Sequence, residues 1–182
     1  MLGSVCNRLG DAPMFSPELT ARAAALIARY RAVGLMVATA ESCTGGLIAG
    51  LLTEIPGSSA VLERGFVAYS NAAKLDLLGV SAETIAIHGA VSEATARAMA
   101  EGALARSRAD IAVSVTGVAG PDGGTPSKPV GLVHFACARR GAATIPREER
   151  FGDVGRGAVR LAAVEAGLEL LEAAGGGVHA RP

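Results

Sequence analysis

Between residues 16 and 175 the chain alternates two kinds of segment. Short apolar runs such as "LMVATA" (35–40), "RGFVAYS" (64–70) and "DIAVSVTG" (110–117) lie between stretches whose apolar residues recur every three or four positions. A chain with both periods must bury strands and helical stripes together. The economical solution is a mostly parallel sheet covered by helices. The pair "VGLVHFACA" and "ATIPREERF", joined near "RRG", reads as a hairpin. The expected fold is therefore α/β: a sandwich with a mixed, mostly parallel sheet and one antiparallel hairpin.

The helices carry their own punctuation. "SPELTARAAALIARYRAVG" starts with a capping Ser16 and Pro17, ends at Gly34, and places Leu19, Ala23, Ile27 and Tyr30 on one stripe. A second helix is expected from about Gly45 to Glu54, broken by "IPGSS" (55–59). Asn71 is the expected cap of a short helix through "AAKLDLLGV", and Ser92 that of 92–107. "GAVRLAAVEAGLELLEAA" forms the last helix, with Leu161, Val164, Leu168 and Leu171 on one face and Gly175 at its end. Residues 1–15 read as a flexible leader, with Met14 an alternative start, 16–175 as one domain, and 176–182 as a flexible tail.

Composition narrows the classes. Lys+Arg and Asp+Glu both number 17, so no net field selects a nucleic acid. No apolar run is long enough to span a membrane. Cys6, Cys43 and Cys137 make neither a disulfide framework nor a zinc pattern, which suits a reducing cytoplasm. No metal-ligand spacing is present and no cofactor is expected. The many small apolar residues permit a helix-packed dimer or larger assembly and equally suit a tight core; of the two, a homo-oligomer is expected.

Parallel sheets bind ligands beyond the carboxyl ends of their strands. Three unusual loops leave the first three strands at that edge: "AESCTGG" (40–46), "YSNAAK" (69–74) and "TGVAGPDGG" (116–124). In the first, Ser42 stands before the amides of Thr44, Gly45 and Gly46, which suit an oxyanion or a phosphate. Helix capping by Ser42 or Thr44 is the alternative. In the second, Lys74 sits in the first turn of a helix, where dipole and burial both lower an amine's pKa. Tyr69 and Ser70 are placed to orient it; an ordinary solvated lysine is the alternative. Ser42 and Lys74 together form a Ser–Lys pair. Cys43 is a rival nucleophile, with His88 as its possible base. Glu41 either contacts substrate, orients Lys74 or is a surface acid. The third loop is not a P-loop, since no Gly-Lys-Ser/Thr follows. Gly117, Gly120 and Asp122 are its candidates for a phosphate or ribose; a long loop that binds nothing is the other reading. A dehydrogenase fits poorly, because four residues rather than three separate Tyr69 from Lys74 and no dinucleotide fingerprint precedes them.

"TAESCTGG", "PGSSAVLERGFVAYSNAAK", "GAVSEATARAMAEGA" and "VSVTGVAGPDGG…KPVGLVHFA" together resemble the C-terminal domain of the competence/damage-inducible CinA proteins, from about Pro17 to Leu171. Standalone members of that family are nicotinamide-nucleotide amidohydrolases. The resemblance implies a three-layer α/β/α fold with a mixed five-stranded sheet. It implies hydrolysis of the carboxamide of nicotinamide mononucleotide, a small-molecule pyridine nucleotide, to nicotinate mononucleotide and ammonia. The family's serine falls on Ser42 and its lysine on Lys74, with Glu41, Thr44, Gly45, Gly46, Ser58, Tyr69 and Asn71 matching around them. One departure stands out: the family's Gly-Asp-Arg before the last helix is "FGDVGRGAVR" here, so the arginine comes late, at Arg156. Arg156, with Arg160 second, is the expected contact for an anionic phosphate. The displaced arginine also raises a competing reading, a binding module that keeps the pocket without the activity.

Overall fold

The structure is a computed structural model that describes residues 13–176. Most of the expected leader and all but one residue of the expected tail lie outside that range. Phe15, assigned to the leader from sequence, is instead buried in the core.

Elements follow in chain order. They are α1 (Pro17–Ala32), β1 (Val37–Glu41), α2 (Leu47–Thr53), a 3-10 turn (Ser58–Ala60), β2 (Leu62–Val67), α3 (Asn71–Leu78), α4 (Ala82–His88), α5 (Glu93–Ala105), β3 (Ile111–Gly117), β4 (Leu132–Arg139), β5 (Ile145–Arg150) and α6 (Arg156–Ala174). The five strands form one sheet in the order β2-β1-β3-β4-β5. β1 pairs in parallel with β2 and β3, while β4 pairs antiparallel with both β3 and β5. Only β4 therefore runs backwards. Pro146 sits in β5, an edge strand, where a missing N–H costs no ladder bond.

The two faces of the sheet differ in side-chain size. On one face Val37, Ile111, Val113, Val115, Val133 and Phe135 meet the apolar stripes of α1, α2 and α6. On the other, Ala38, Ala40 and Ala112 meet Met99 and Ala103 of α5, with Leu78 and Val80 beside them. Small residues let α5 lie close to the strands. The closeness reaches α3 too: a Cβ on Gly102 would lie 1.9 Å from the Leu78 carbonyl oxygen.

Three local expectations need correction. β2 begins earlier and ends earlier than 64–70, so Tyr69 and Ser70 lie beyond the strand. Ser70, not Asn71, caps α3. Its backbone is extended and its Oγ accepts from the Ala73 amide at 3.0 Å, whereas Asn71 is already helical. Lys74 is thus the fourth helical residue. Leu161 is 46 % exposed while Val164, Leu168 and Leu171 are fully buried. The buried arc of α6 is centred on Val159, Ala163 and Gly167 as well, which leaves Leu161 beyond its edge.

Candidate active site

β1 ends at Glu41, and its register carries the next residue into the sheet's carboxyl edge. The Ser42 amide donates to Val115 O of β3 at 2.9 Å, and the Ala68 amide donates to Glu41 O at 2.8 Å. These two bonds extend the parallel ladders by one step and bring the exits of β1 and β2 side by side. Ser70 then starts α3, and one turn later Lys74 points back into the crevice. Its Nζ lies 3.0 Å from Ser42 Oγ and 3.0 Å from Ala68 O. Residues 32 apart in sequence meet there, the serine 8 % and the lysine 2 % exposed.

Burial pushes the Lys74 amine below the ordinary lysine value, because an ammonium loses its hydration there. A Cys43 thiolate alone would oppose this, and burial pushes that thiol up to about 12. At neutral pH the sulfur therefore carries no charge to hold the lysine protonated. Nζ has two hydrogen-bond partners, Ser42 Oγ and the uncharged Ala68 O, too few for the three N–H groups of an ammonium.

A cavity of about 210 Å³ opens over this pair. Ser42, Tyr69, Asn71, Lys74, Gly117 and Arg156, all named from sequence as site candidates, line it together with the rival nucleophile Cys43. Ala90, Val91, Thr116 and Ala119 line it too, and sequence reasoning missed them. Thr116 Oγ1 donates to Ala90 O at 2.8 Å, so the end of β3 holds the segment before α5 as a wall. That wall contributes small apolar groups, which carry no chemical signature in sequence. A larger groove of about 430 Å³ between the start of α1 and α6 has Ser16 on its wall, but that hydroxyl is occupied in capping α1.

Several expected site residues stand elsewhere. Glu41 is fully buried behind the turn, not facing the cavity. Its carboxylate accepts from Thr44 Oγ1 at 2.7 Å and from the amides of Gly46, Ile48 and Ala49 at 3.1, 2.9 and 2.9 Å. It neither contacts Lys74 nor lines the cavity; it satisfies the start of α2, whose cap Gly46 has no side chain to do so. The Gly45 amide is engaged as well, on Ser42 O at 3.0 Å. Thr44, Gly45 and Gly46 shape the turn without lining the cavity.

Tyr69 is 58 % exposed at the rim, and its hydroxyl accepts from Arg156 Nη2 at 2.8 Å rather than touching the lysine. Arg156 also donates to Gly120 O at 3.0 Å. The late arginine thus reaches the cavity, and Gly120 serves as its anchor. Arg160 turns the other way and donates to Cys43 O and Thr44 O at 3.1 and 2.9 Å. Asp122 is exposed and does not line the cavity. Ser58 lies next to Val61, whose carbonyl takes the amide of Val37 at the beginning of β1, the opposite end of that strand from Ser42. Among the described residues no three His, Cys, Asp or Glu side chains are grouped to hold a metal ion, and no helix is long and apolar enough to cross a membrane.

Comparison with known proteins gives a consistent result. Residues 19–174 match the CinA C-terminal domain family. The nicotinamide-nucleotide amidohydrolase PncC of Escherichia coli is 55 % identical over 142 residues, covering 78 % of this chain and 85 % of that protein. A CinA-like protein of Anaeromyxobacter dehalogenans is 55 % identical over 150 residues, 82 % of this chain but 36 % of its own length. The chain spans only 25–40 % of the longer relatives of this kind that it matches. The crystal structure of the competence/damage inducible protein CihA from Agrobacterium tumefaciens superposes with a TM-score of 0.87 at 56 % identity, covering 89 % of this chain and 98 % of that one.

Proposed function

This chain belongs to the CinA C-terminal domain family, and on that premise we propose that it is an enzyme that hydrolyses the carboxamide of nicotinamide mononucleotide to nicotinate mononucleotide and ammonia. The observation that carries the proposal is the 3.0 Å contact between Ser42 Oγ and the buried amine of Lys74, whose other partner is an uncharged carbonyl. The resemblance to PncC supplies the substrate class; the pair supplies the chemistry.

Neutral Lys74 takes the Ser42 proton as Oγ attacks the carboxamide carbon. The carbonyl oxygen becomes an oxyanion. The turn's own bonds engage the amides of Gly45 and Gly46, and Thr44 is fully buried, which leaves the amide of Cys43, a cavity-lining residue, as its donor. A developing oxyanion is a strong acceptor for a backbone N–H in such a crevice. Lys74 returns the proton to the departing nitrogen, and ammonia leaves. A water, deprotonated by the same amine, then cleaves the acyl ester and restores Ser42. The apolar wall of Ala90, Val91 and Ala119 suits the pyridine ring, and Arg156 at the rim suits the phosphate.

Two rival readings lose support. Cys43 at about 12 is a thiol, not a thiolate, at neutral pH. The late arginine, which favoured a binding-only module, reaches the cavity rim after all. Ammonia release from nicotinamide mononucleotide, measured for the wild type, Ser42→Ala and Cys43→Ala, tests the proposal. Loss in Ser42→Ala and retention in Cys43→Ala are expected; the reverse pattern refutes it. Tight calorimetric binding of the nucleotide without any ammonia release supports the binding module instead.

A further inference from the structure

The turn that carries Ser42 is gripped from two sides by charged groups that do not line the cavity. Behind it, the Glu41 carboxylate accepts from Thr44 Oγ1 and from three backbone amides, including that of Gly46. From α6, the Arg160 guanidinium donates to two successive carbonyls, Cys43 O and Thr44 O. A trans peptide is planar, and its N–H points opposite to its C=O. Holding Cys43 O therefore sets the direction of the Thr44 N–H, and holding Thr44 O sets that of the Gly45 N–H. The latter bond closes back onto Ser42 O at 3.0 Å. Glu41 holds the next peptide through the Gly46 amide at 3.1 Å. Three consecutive peptide planes after Ser42 are thus oriented by two opposite charges.

The two neighbouring arginines of α6 divide their work. Arg156 lines the cavity and Arg160 does not. A Cβ on Gly45 would lie 3.5 Å from Arg160 Nη2, so the guanidinium lies directly over the turn. Only a fork reaches two carbonyls at once; the point charge of a lysine does not.

We propose that Glu41 and Arg160 are paired positioning residues. They orient the peptides after Ser42 so that its Oγ faces Lys74, without either residue touching the substrate. The proposal rests on the Ser42–Lys74 reading above and extends it from the reacting pair to what holds that pair.

The test combines two readouts. In steady-state ammonia release from nicotinamide mononucleotide, Arg160→Met is expected to lower kcat by up to about 100-fold with KM nearly unchanged, the signature of misplacement rather than lost binding. Arg160→Lys recovers part of the loss. Glu41→Gln lowers kcat as well, and the double variant loses less than the product of the two single losses, because both act on one turn. A raised KM at unchanged kcat overturns the proposal, since Arg160 would then hold the phosphate. Multiplicative losses overturn the pairing. The second readout needs no substrate: an aryl sulfonyl fluoride labels Ser42 as Oγ displaces fluoride from sulfur and its proton passes to Lys74. Slower labelling in Arg160→Met at an unchanged melting temperature is expected, and equal rates overturn the proposal. A wild type that releases no ammonia but loses labelling on Arg160→Met sinks the substrate assignment and leaves the positioning role standing.

Discussion

Glu41 and Lys74 are buried at the same edge of the same sheet, and the protein treats them in opposite ways. Four donors converge on the Glu41 carboxylate. Lys74 has a hydroxyl and a carbonyl, too few acceptors for an ammonium with three N–H groups. A saturated charge builds structure, because every lone pair lost from water is replaced. An undersupplied amine is cheaper to keep neutral, and a neutral amine can take a proton. The contrast separates the group that shapes the turn from the group proposed to act on the substrate.

The sharpest way to break this comparison is to remove the amine. Lys74→Met is expected to lower kcat by about 10²–10⁴-fold while the protein stays folded, read by ammonia release beside far-UV circular dichroism. Normal turnover would remove the lysine from the chemistry. Next in size is Glu41→Leu, which leaves four donors facing a methyl group. It is expected to cost about 3 kcal/mol or more in urea unfolding, with Glu41→Gln costing less because its carbonyl still accepts. If Glu41→Leu proves neutral, the carboxylate does not hold α2 as described.

The pH dependence carries a definite sign. Burial makes folded Lys74 release its proton below the ordinary value of 10.5. Between the folded value and 10.5 the unfolded chain binds more protons, so stability contributed by this residue rises with pH across that window. Below the window the cost of the buried ammonium is fully present. Lys74→Met is therefore expected to melt higher than the wild type at neutral pH, by a margin that shrinks as pH approaches 10.5. A margin constant across that range would mean the lysine is not depressed. Activity should rise with pH through the same lowered value, since the neutral amine is the base. The smallest effect concerns Cys43: alkylation by iodoacetamide at pH 7 should be slow in the folded protein, since its thiol titrates near 12. Fast alkylation with loss of activity would reopen the cysteine reading.

Much of the site was legible before any coordinates. Ser42, Lys74, Tyr69, Asn71, Gly117 and Arg156 were all named from their places in three loops and from the family resemblance, and all line one cavity. Their shared edge followed from strand direction alone. What sequence left ambiguous was orientation. Glu41 adjoins Ser42 in the chain, yet alternation along β1 carries its side chain to the opposite side from its neighbour, under α2. Tyr69 precedes Lys74 closely and still turns away to Arg156. Ser58 shares a motif with the site in sequence, while the break after α2 leaves it at the far end of β1. Thr116, Ala90 and Val91 have no reactive signature, and only the packing of β3 against the segment before α5 makes them a wall.

By itself the sequence determined the periods, and the periods determined the layers: apolar runs too short for helices became β1 and β3, and three- and four-residue stripes became α1, α5 and α6. Those are local properties, set by backbone geometry and by which side chains water rejects. Tertiary structure alone decided which arginine faces the cavity, which carboxylate is satisfied and which amine is left short. Each of those outcomes depends on partners brought from distant parts of the chain. The electrostatic character of a buried group is set by the acceptors and donors around it, and no spacing along the polymer records them.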